Sequence, residues 1–483
     1  MGRWLQTRSV FVFIITLGLF TMAARPATDP DMWWHLRTGQ LILQTDHIFH
    51  SDPYSFTCFG HPWINHEWLS DVTMFAIYRA AGWSGLIVVF ALVIAAALLL
   101  VFQRSEGQPY VAGMATIWAA FACAPTWGVR PQMFSFFLAG LLLLVLEASY
   151  ERPLLLVWSV PLTLLWVNLH AGYAMGIGLL VLFLFGDVLD SAFGVAPWRQ
   201  NAKHIRTLGL ITLGCIAVVP LNPYGVKMYL YPFRTLGSPA MQAYIAEWAS
   251  PNFHEQKYWP LLFLILATAV LPWFSPRRLR PRELLLLLVL TFAALASIRH
   301  ICIYVLVAAP LVSALVWDGS KFSAQVARSA NAHLPGTRAI VNAACALGFL
   351  AFTVIRVYSV TANQKAAEAK SFPSGAVAFF ETHHPLQPLL NYYTWGGYFI
   401  WKLYPEYRVF IDGRADVYGD ALMDQFAATY YIRASSWQQN LEHWGIRTVV
   451  LPPNAPLISA LRISPRWREV YADSQATVFA LEP

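Results

Sequence analysis

Between residues 9 and 361 the sequence returns repeatedly to apolar runs long enough to cross a bilayer, and almost no charge falls inside them. A helix rises about 1.5 Å per residue, so about 20 such residues span the hydrocarbon core. Backbone in lipid must satisfy its own hydrogen bonds, and uninterrupted runs of this length do so as helices. The reading gives about 11 transmembrane helices, near 9–25, 84–103, 109–126, 132–149, 153–169, 172–192, 207–222, 258–275, 283–298, 301–317 and 338–361. Composition agrees: charged residues are 12% of the chain, against about a quarter in soluble domains.

The net charge of +7 is spread in short clusters between the runs. That pattern excludes a nucleic-acid footprint and suits topology determinants. One set of connections carries Arg3, Arg8, Arg104, Arg152, Arg199, Lys203, Arg206, Arg277, Arg278, Arg280, Arg282, Lys321, Arg328 and Arg338. The positive-inside rule makes this set cytoplasmic, so the N-terminus is inside and the C-terminal tail outside. Arg3 and Arg8 before the 10–22 run also fit a signal sequence, but the later spans favour a retained first helix. Four of the five cysteines lie in apolar runs and no CxxC occurs, so cysteine offers neither a metal site nor redox chemistry.

The expected organisation is a transmembrane domain, 1–361, with long external loops at 26–83 and 223–257, followed by an external α/β domain, 362–483. In that domain, strand-like runs near 387–391, 407–412, 446–451, 467–471 and 476–481 alternate with helical stretches. Alternation of this kind predicts a small, mostly parallel sheet.

Nearly every distinctive motif falls on the external side. The first loop opens Asp29-Pro30-Asp31-Met32-Trp33-Trp34-His35-Leu36-Arg37. Two carboxylates two residues apart can hold a divalent cation or take a proton from a hydroxyl. Trp33 and Trp34 suit the headgroup level, and the plain structural alternative is an interfacial helix capped by Asp. His66-Glu67, just before the second span, returns a second acidic site to the same surface. Arg130, Asn168, His170, Arg299 and His300 stand at external span ends. Ionisable groups there are costly, and arginines facing a cavity suit a phosphate. Glu247 and His254 lie in the second loop, in a stretch long enough to close over a substrate. In the C-terminal domain, Trp395-Gly396-Gly397-Tyr398 and Asp412-Gly413-Arg414-Ala415-Asp416 both follow strand-like runs, where α/β domains place ligand loops. A glycine-cornered core with buried ion pairs is the structural alternative.

Together these features resemble the GT-C superfamily of membrane glycosyltransferases, which includes oligosaccharyltransferase catalytic subunits, protein O-mannosyltransferases and aminoarabinose transferases. The opening of the first loop also resembles that of a bacterial branch of membrane proteins of uncertain role. The resemblance implies transfer of a sugar from a polyprenyl-phosphate or -pyrophosphate donor on the non-cytoplasmic face of a bacterial inner membrane, to a glycan, lipid or protein acceptor. It implies a base at Asp29 or Asp31, donor-phosphate contacts from Arg130, Arg299, His300 and Arg37, and a divalent cation (Mg or Mn) at Asp31, Glu67 and His66. It places acceptor or sugar contacts at His170, Glu247, His254, Trp395, Tyr398, Asp412, Arg414 and Asp416. The Thr394–Tyr398 stretch is similar to the Trp-Trp-Asp-Tyr-Gly acceptor motif of oligosaccharyltransferases but lacks its aspartate, which argues against glycosylation of Asn sequons. The competing classes are a transporter or flippase of a lipid-linked or small polar substrate, and a non-catalytic assembly protein. The first predicts midplane charges and repeated halves, which the sequence lacks.

Overall fold

The computed structural model describes residues 6–107, 109–319, 336–433 and 436–482; Arg3, Lys321 and Arg328 of the orientation set lie outside them. Helix occupies each of the apolar runs. Among the described residues, five helices are long and apolar enough to cross a membrane: Trp68–Arg104, Tyr173–Ala192, Asn201–Leu221, Ile298–Gly319 and Thr337–Ala362. The chain is an integral membrane protein. The Trp68–Arg104 helix starts well before the expected span at 84 and breaks at Gly82, whose φ of 58° glycine takes without steric cost. The apolar part begins after that break.

The chain divides into two compact units. The first comprises Met1–Arg25, Ile87–Tyr229 and Ala246–Val360. At its centre is the Ile301–Gly319 helix, buried continuously from Ile301 to Leu315. A helix apolar on all sides can be surrounded by lipid or by protein, and here it is protein. The Pro109–Cys123, Gln132–Ala148, Trp259–Val270 and Pro281–Ala296 helices supply it. Packing between helices in lipid relies on small residues. Gly113 lets the Thr7–Ala23 helix approach, since a Cβ there would strike Phe11 and Ile15. The Thr21 hydroxyl donates to Thr353 at 2.9 Å, joining two helices far apart in sequence. Several basic residues read as topology markers also neutralise carboxylates: Arg104 pairs with Glu147 at 2.6 Å, Arg282 with Asp187 at 2.9 Å, and Arg277 with both Glu106 and Glu283.

The second unit comprises Pro26–Leu86, Leu230–Ile245 and Thr361–Pro483. Residues of both long loops are therefore built into the same body as the C-terminal segment. Its sheet has four strands in the order Leu389–Asn391, Thr448–Leu451, Thr477–Leu481, Trp467–Ala472. Only the first pair is parallel. The expected mostly parallel sheet is thus corrected to a mixed one. No helix separates the last two strands in sequence, and a short turn can join only antiparallel neighbours. The 407–412 run forms no sheet strand. It is clamped by Asn391, whose amide donates to Ile411 O at 2.8 Å and accepts from Phe410 N at 2.8 Å. On its other side it meets the first loop: Val409 N donates to Tyr54 O and Phe56 N to Val409 O, both at 3.1 Å.

The Met32–Thr45 helix packs on the Gly396–Leu403 helix, and Gly397 makes this possible: a Cβ there would lie 2.6 Å from Pro30 O. Trp33 is wholly buried among Trp83, Phe372 and Tyr398, and Trp34 is buried beside Trp63. Both rings, expected at the headgroup level, are instead buried against other side chains, several of them from the C-terminal segment.

Candidate functional site

Among the described residues, the candidate site residues form two main groups, one in each unit. In the second unit the group is built around the start of the Met32–Thr45 helix. Asp29 turns the chain, its carboxylate accepting from Asp31 N at 3.0 Å. Asp31 is the N-cap residue, and its Oδ1 accepts from Trp34 Nε1 at 3.4 Å. The backbone of Gly413 lies against the Asp31 carboxylate so closely that a Cβ would collide with Oδ1. One turn on, buried His35 donates from Nδ1 to Asp71 at 2.6 Å and sets Nε2 3.6 Å from Glu67. Asn65 donates to the other Asp71 oxygen at 2.9 Å. Glu67 stands 3.5 Å from His66, whose ring lies over Tyr231.

This is an acidic interior threaded by two imidazoles. Burial alone would favour neutral His35, but its bond to Asp71 and the charges of Asp71, Glu67 and Asp31 outweigh that and raise its pKa. The same opposition, with Glu67 as the main neighbour, raises His66. Burial pushes the Asp416 carboxyl up, against the pull of His66 and Arg414. Among the described residues no group of three or more His, Cys, Asp or Glu side chains is disposed to hold a metal ion. Asp31, Glu67 and His66 form no such set.

Beneath this group lies a fully satisfied ion network. Arg414 donates from Nε and Nη2 to Asp412 at 2.8 and 2.6 Å and from Nη1 to Asp52 at 2.7 Å, between the rings of Tyr54 and Trp63. Tyr418 also donates to Asp412. Asp52 caps its own turn, accepting from Tyr54 N and Ser55 N at 3.0 Å each. Asp412 and Arg414, expected as acceptor contacts, are buried and engaged with one another; they hold the 412–416 loop against the first loop. Trp395 and Tyr398 are likewise core, with Tyr398 donating to Glu368 at 3.0 Å. Arg37, expected at a phosphate, donates to Gln40 at 2.8 Å and to Tyr404 O.

In the first unit, Arg130 and Arg299 converge on Glu247. Arg130 donates to both carboxylate oxygens, the Nη2 bond being 3.1 Å, and Arg299 Nε donates to Oε2 at 3.0 Å. The Arg299 guanidinium also lies over Trp248, 4.9 Å from the ring centroid. Burial would raise the Glu247 pKa, but the two arginines overwhelm it and bring it down to about 2. His300 neighbours Trp248. His170 is bonded elsewhere in the unit: Ser135 Oγ lies 2.7 Å from Nδ1, and Gly172 N donates to the same nitrogen at 2.9 Å. His254 is exposed, its amide tied to Asn252.

The sequence reading passed over Asp71, Asn65 and Trp248. Asp71 follows Glu67 by four residues at a helix start, where acidic residues are favoured and i, i+4 side chains share a face. That spacing was the available signal. Trp248, adjacent to Glu247, carried none.

No protein-family profile matches the sequence, and no curated protein matches it. Solved structures do match in fold. The oligosaccharyltransferase AglB from Archaeoglobus fulgidus, in complex with an inhibitory peptide and a dolichol-phosphate, superposes with a TM-score of 0.58 at 12% identity, over 98% of this chain and 74% of that one. An Archaeoglobus fulgidus oligosaccharyltransferase in the apo form gives 0.56 at 12% identity, over 93% of this chain and 70% of that one. ArnT from Cupriavidus metallidurans in the apo state gives 0.50 at 16% identity, over 97% of each chain. Both are GT-C glycosyltransferases, the superfamily the sequence resembles, and what this chain shares with them is the fold.

Proposed function

We propose that the protein is a GT-C-type glycosyltransferase that moves a sugar from a polyprenyl-phosphate or -pyrophosphate donor to a hydroxyl acceptor. The observation that carries this reading is the acidic group around Asp29 and Asp31 on a chain with this fold. The AglB structure holds a dolichol-phosphate and a peptide, which supports a lipid-linked donor and a separate acceptor here.

Eleven spans, with the N-terminus cytoplasmic and the C-terminal segment periplasmic, complete the proposal. The polyprenyl chain stays in lipid. Asp29 or Asp31 accepts the proton of the acceptor hydroxyl as its oxygen attacks the anomeric carbon. The bond from that carbon to the phosphate oxygen breaks, the configuration inverts, and the lipid phosphate leaves with the electron pair. Arg130 and Arg299 meet the charge that develops on it, and His300 borders them. In this reading Asp416, His66 and Glu67 line the acceptor side, His170 and His254 are further acceptor contacts, and Asp412, Arg414, Trp395 and Tyr398 act by holding the framework.

The test is transfer of radiolabelled sugar from a panel of polyprenyl-phosphate donors by wild type, Asp29→Asn and Asp31→Asn. One of the two substitutions is expected to cut transfer by at least about a hundredfold. Equal incorporation by all three proteins removes the base.

A further inference from the structure

The Glu247 carboxylate lies between the guanidiniums of Arg130 and Arg299. A guanidinium presents the same fork of N–H groups to a carboxylate and to a phosphate. Here the two Glu247 oxygens accept from both arginines, so the carboxylate orients the two cations as an anionic ligand would. The backbone under Glu247 is pinned independently of its side chain. Ser297 Oγ donates to Glu247 O at 2.9 Å, and Ile298 N donates to Ala249 O at 3.1 Å. The side chain itself is 30% exposed. Turning it outward would break neither of these backbone bonds. The pair carries two positive charges against one negative, so an entering phosphate meets a net attractive site even before the carboxylate has left.

Resting on the reading of Arg130 and Arg299 as the donor-phosphate site, we propose that the Glu247 side chain is a resident competitor for that site. It keeps the two arginines oriented in the empty protein and is displaced by the phosphate of the lipid donor. Displacement sets a threshold on ground-state binding, while both cations become available to the leaving phosphate as its charge grows.

Competition makes a distinctive prediction. A competitor that leaves completely lowers the affinity of every anion by one common factor, whatever the charge of the anion. The experiment measures binding of farnesyl phosphate and of farnesyl methyl phosphate to the full-length protein in detergent, followed by tryptophan fluorescence. Wild type, Glu247→Gln, Glu247→Asp, Arg130→Ala and Arg299→Ala are compared. Glu247→Gln is expected to bind both probes about tenfold more tightly, by the same factor. Glu247→Asp, too short to span both guanidiniums, is expected to tighten binding by less.

Unchanged or weaker binding in both Glu247 variants, with binding still lost in the arginine variants, overturns the competitor and makes Glu247 a strut. A gain much larger for the monoester dianion than for the diester overturns it too, because that is repulsion from a carboxylate that never leaves. Binding retained in both arginine variants instead overturns the phosphate site itself. If the Gln variant does not fold, the Asp variant decides by the same criteria.

Discussion

At the scale of single residues, Gly413 has no room for a side chain unless the Asp31 carboxylate moves. A methyl group there must push the Asp31 carboxylate aside, while the buried Arg414–Asp412–Asp52 network next to it stays intact. A misplacement of about 1 Å at a reacting group can cost about a hundredfold in rate. Gly413→Ala is therefore expected to lose about that much sugar transfer while its thermal unfolding temperature stays within a few degrees of wild type. Loss of fold and activity together would assign Gly413 to the framework. Glu247 yields a pH prediction. Its folded pKa, about 2, lies below its ordinary value of 4.5. The stabilisation it gives is complete above 4.5 and is lost as pH falls toward 2. In thermal melts, wild type should exceed Glu247→Gln at neutral pH, and the gap should narrow steadily as pH drops from 4.5 toward 2. A gap independent of pH would contradict the ion pairing.

Among the elements, the Pro239–Tyr244 helix is tied down largely through exposed side-chain bonds. Ser238 Oγ donates to Asp420 at 2.5 Å, Ala240 N to the same oxygen at 3.3 Å, and Tyr244 to Asp424 at 2.8 Å. Exposed bonds of this kind contribute little individually. The double variant Asp420→Ala, Asp424→Ala should release the segment, seen as faster amide exchange over 236–246 with exchange in the Thr448–Leu451 strand unchanged. Equal protection in both proteins would show that apolar packing holds the helix. Elements also differ in how readable they are. Spans such as 301–317 were legible because lipid demands unbroken apolar length. The fate of 407–412 was not legible: its partners are Asn391 and a loop more than 350 residues earlier, and no local pattern encodes such pairing. Trp33 and Trp34 misled for the same reason, since an interfacial tryptophan and a core tryptophan look alike in sequence.

For the molecule as a whole, membrane residence and the candidate carboxylates were readable in the chain, whereas the second unit was not. Its assembly from three separated segments depends on close approaches at Gly397 and Gly413, and a glycine in sequence does not say what it faces. The arginines were legible as costly charges at span ends; that Glu247 sits between them was not. The central claim is that a lipid-linked donor is split and its sugar passed on, and its direct rival is movement of the intact lipid across the bilayer. The decisive measurement uses the full chain in proteoliposomes with polyprenyl-phosphate donors labelled separately in the sugar and in the phosphate. The account predicts sugar label on a water-soluble or lipid acceptor, lipid phosphate released one for one, and loss of both in an Asp29→Asn, Asp31→Asn double variant. Donor recovered intact in the opposite leaflet, with no lipid phosphate released from any donor, would contradict it.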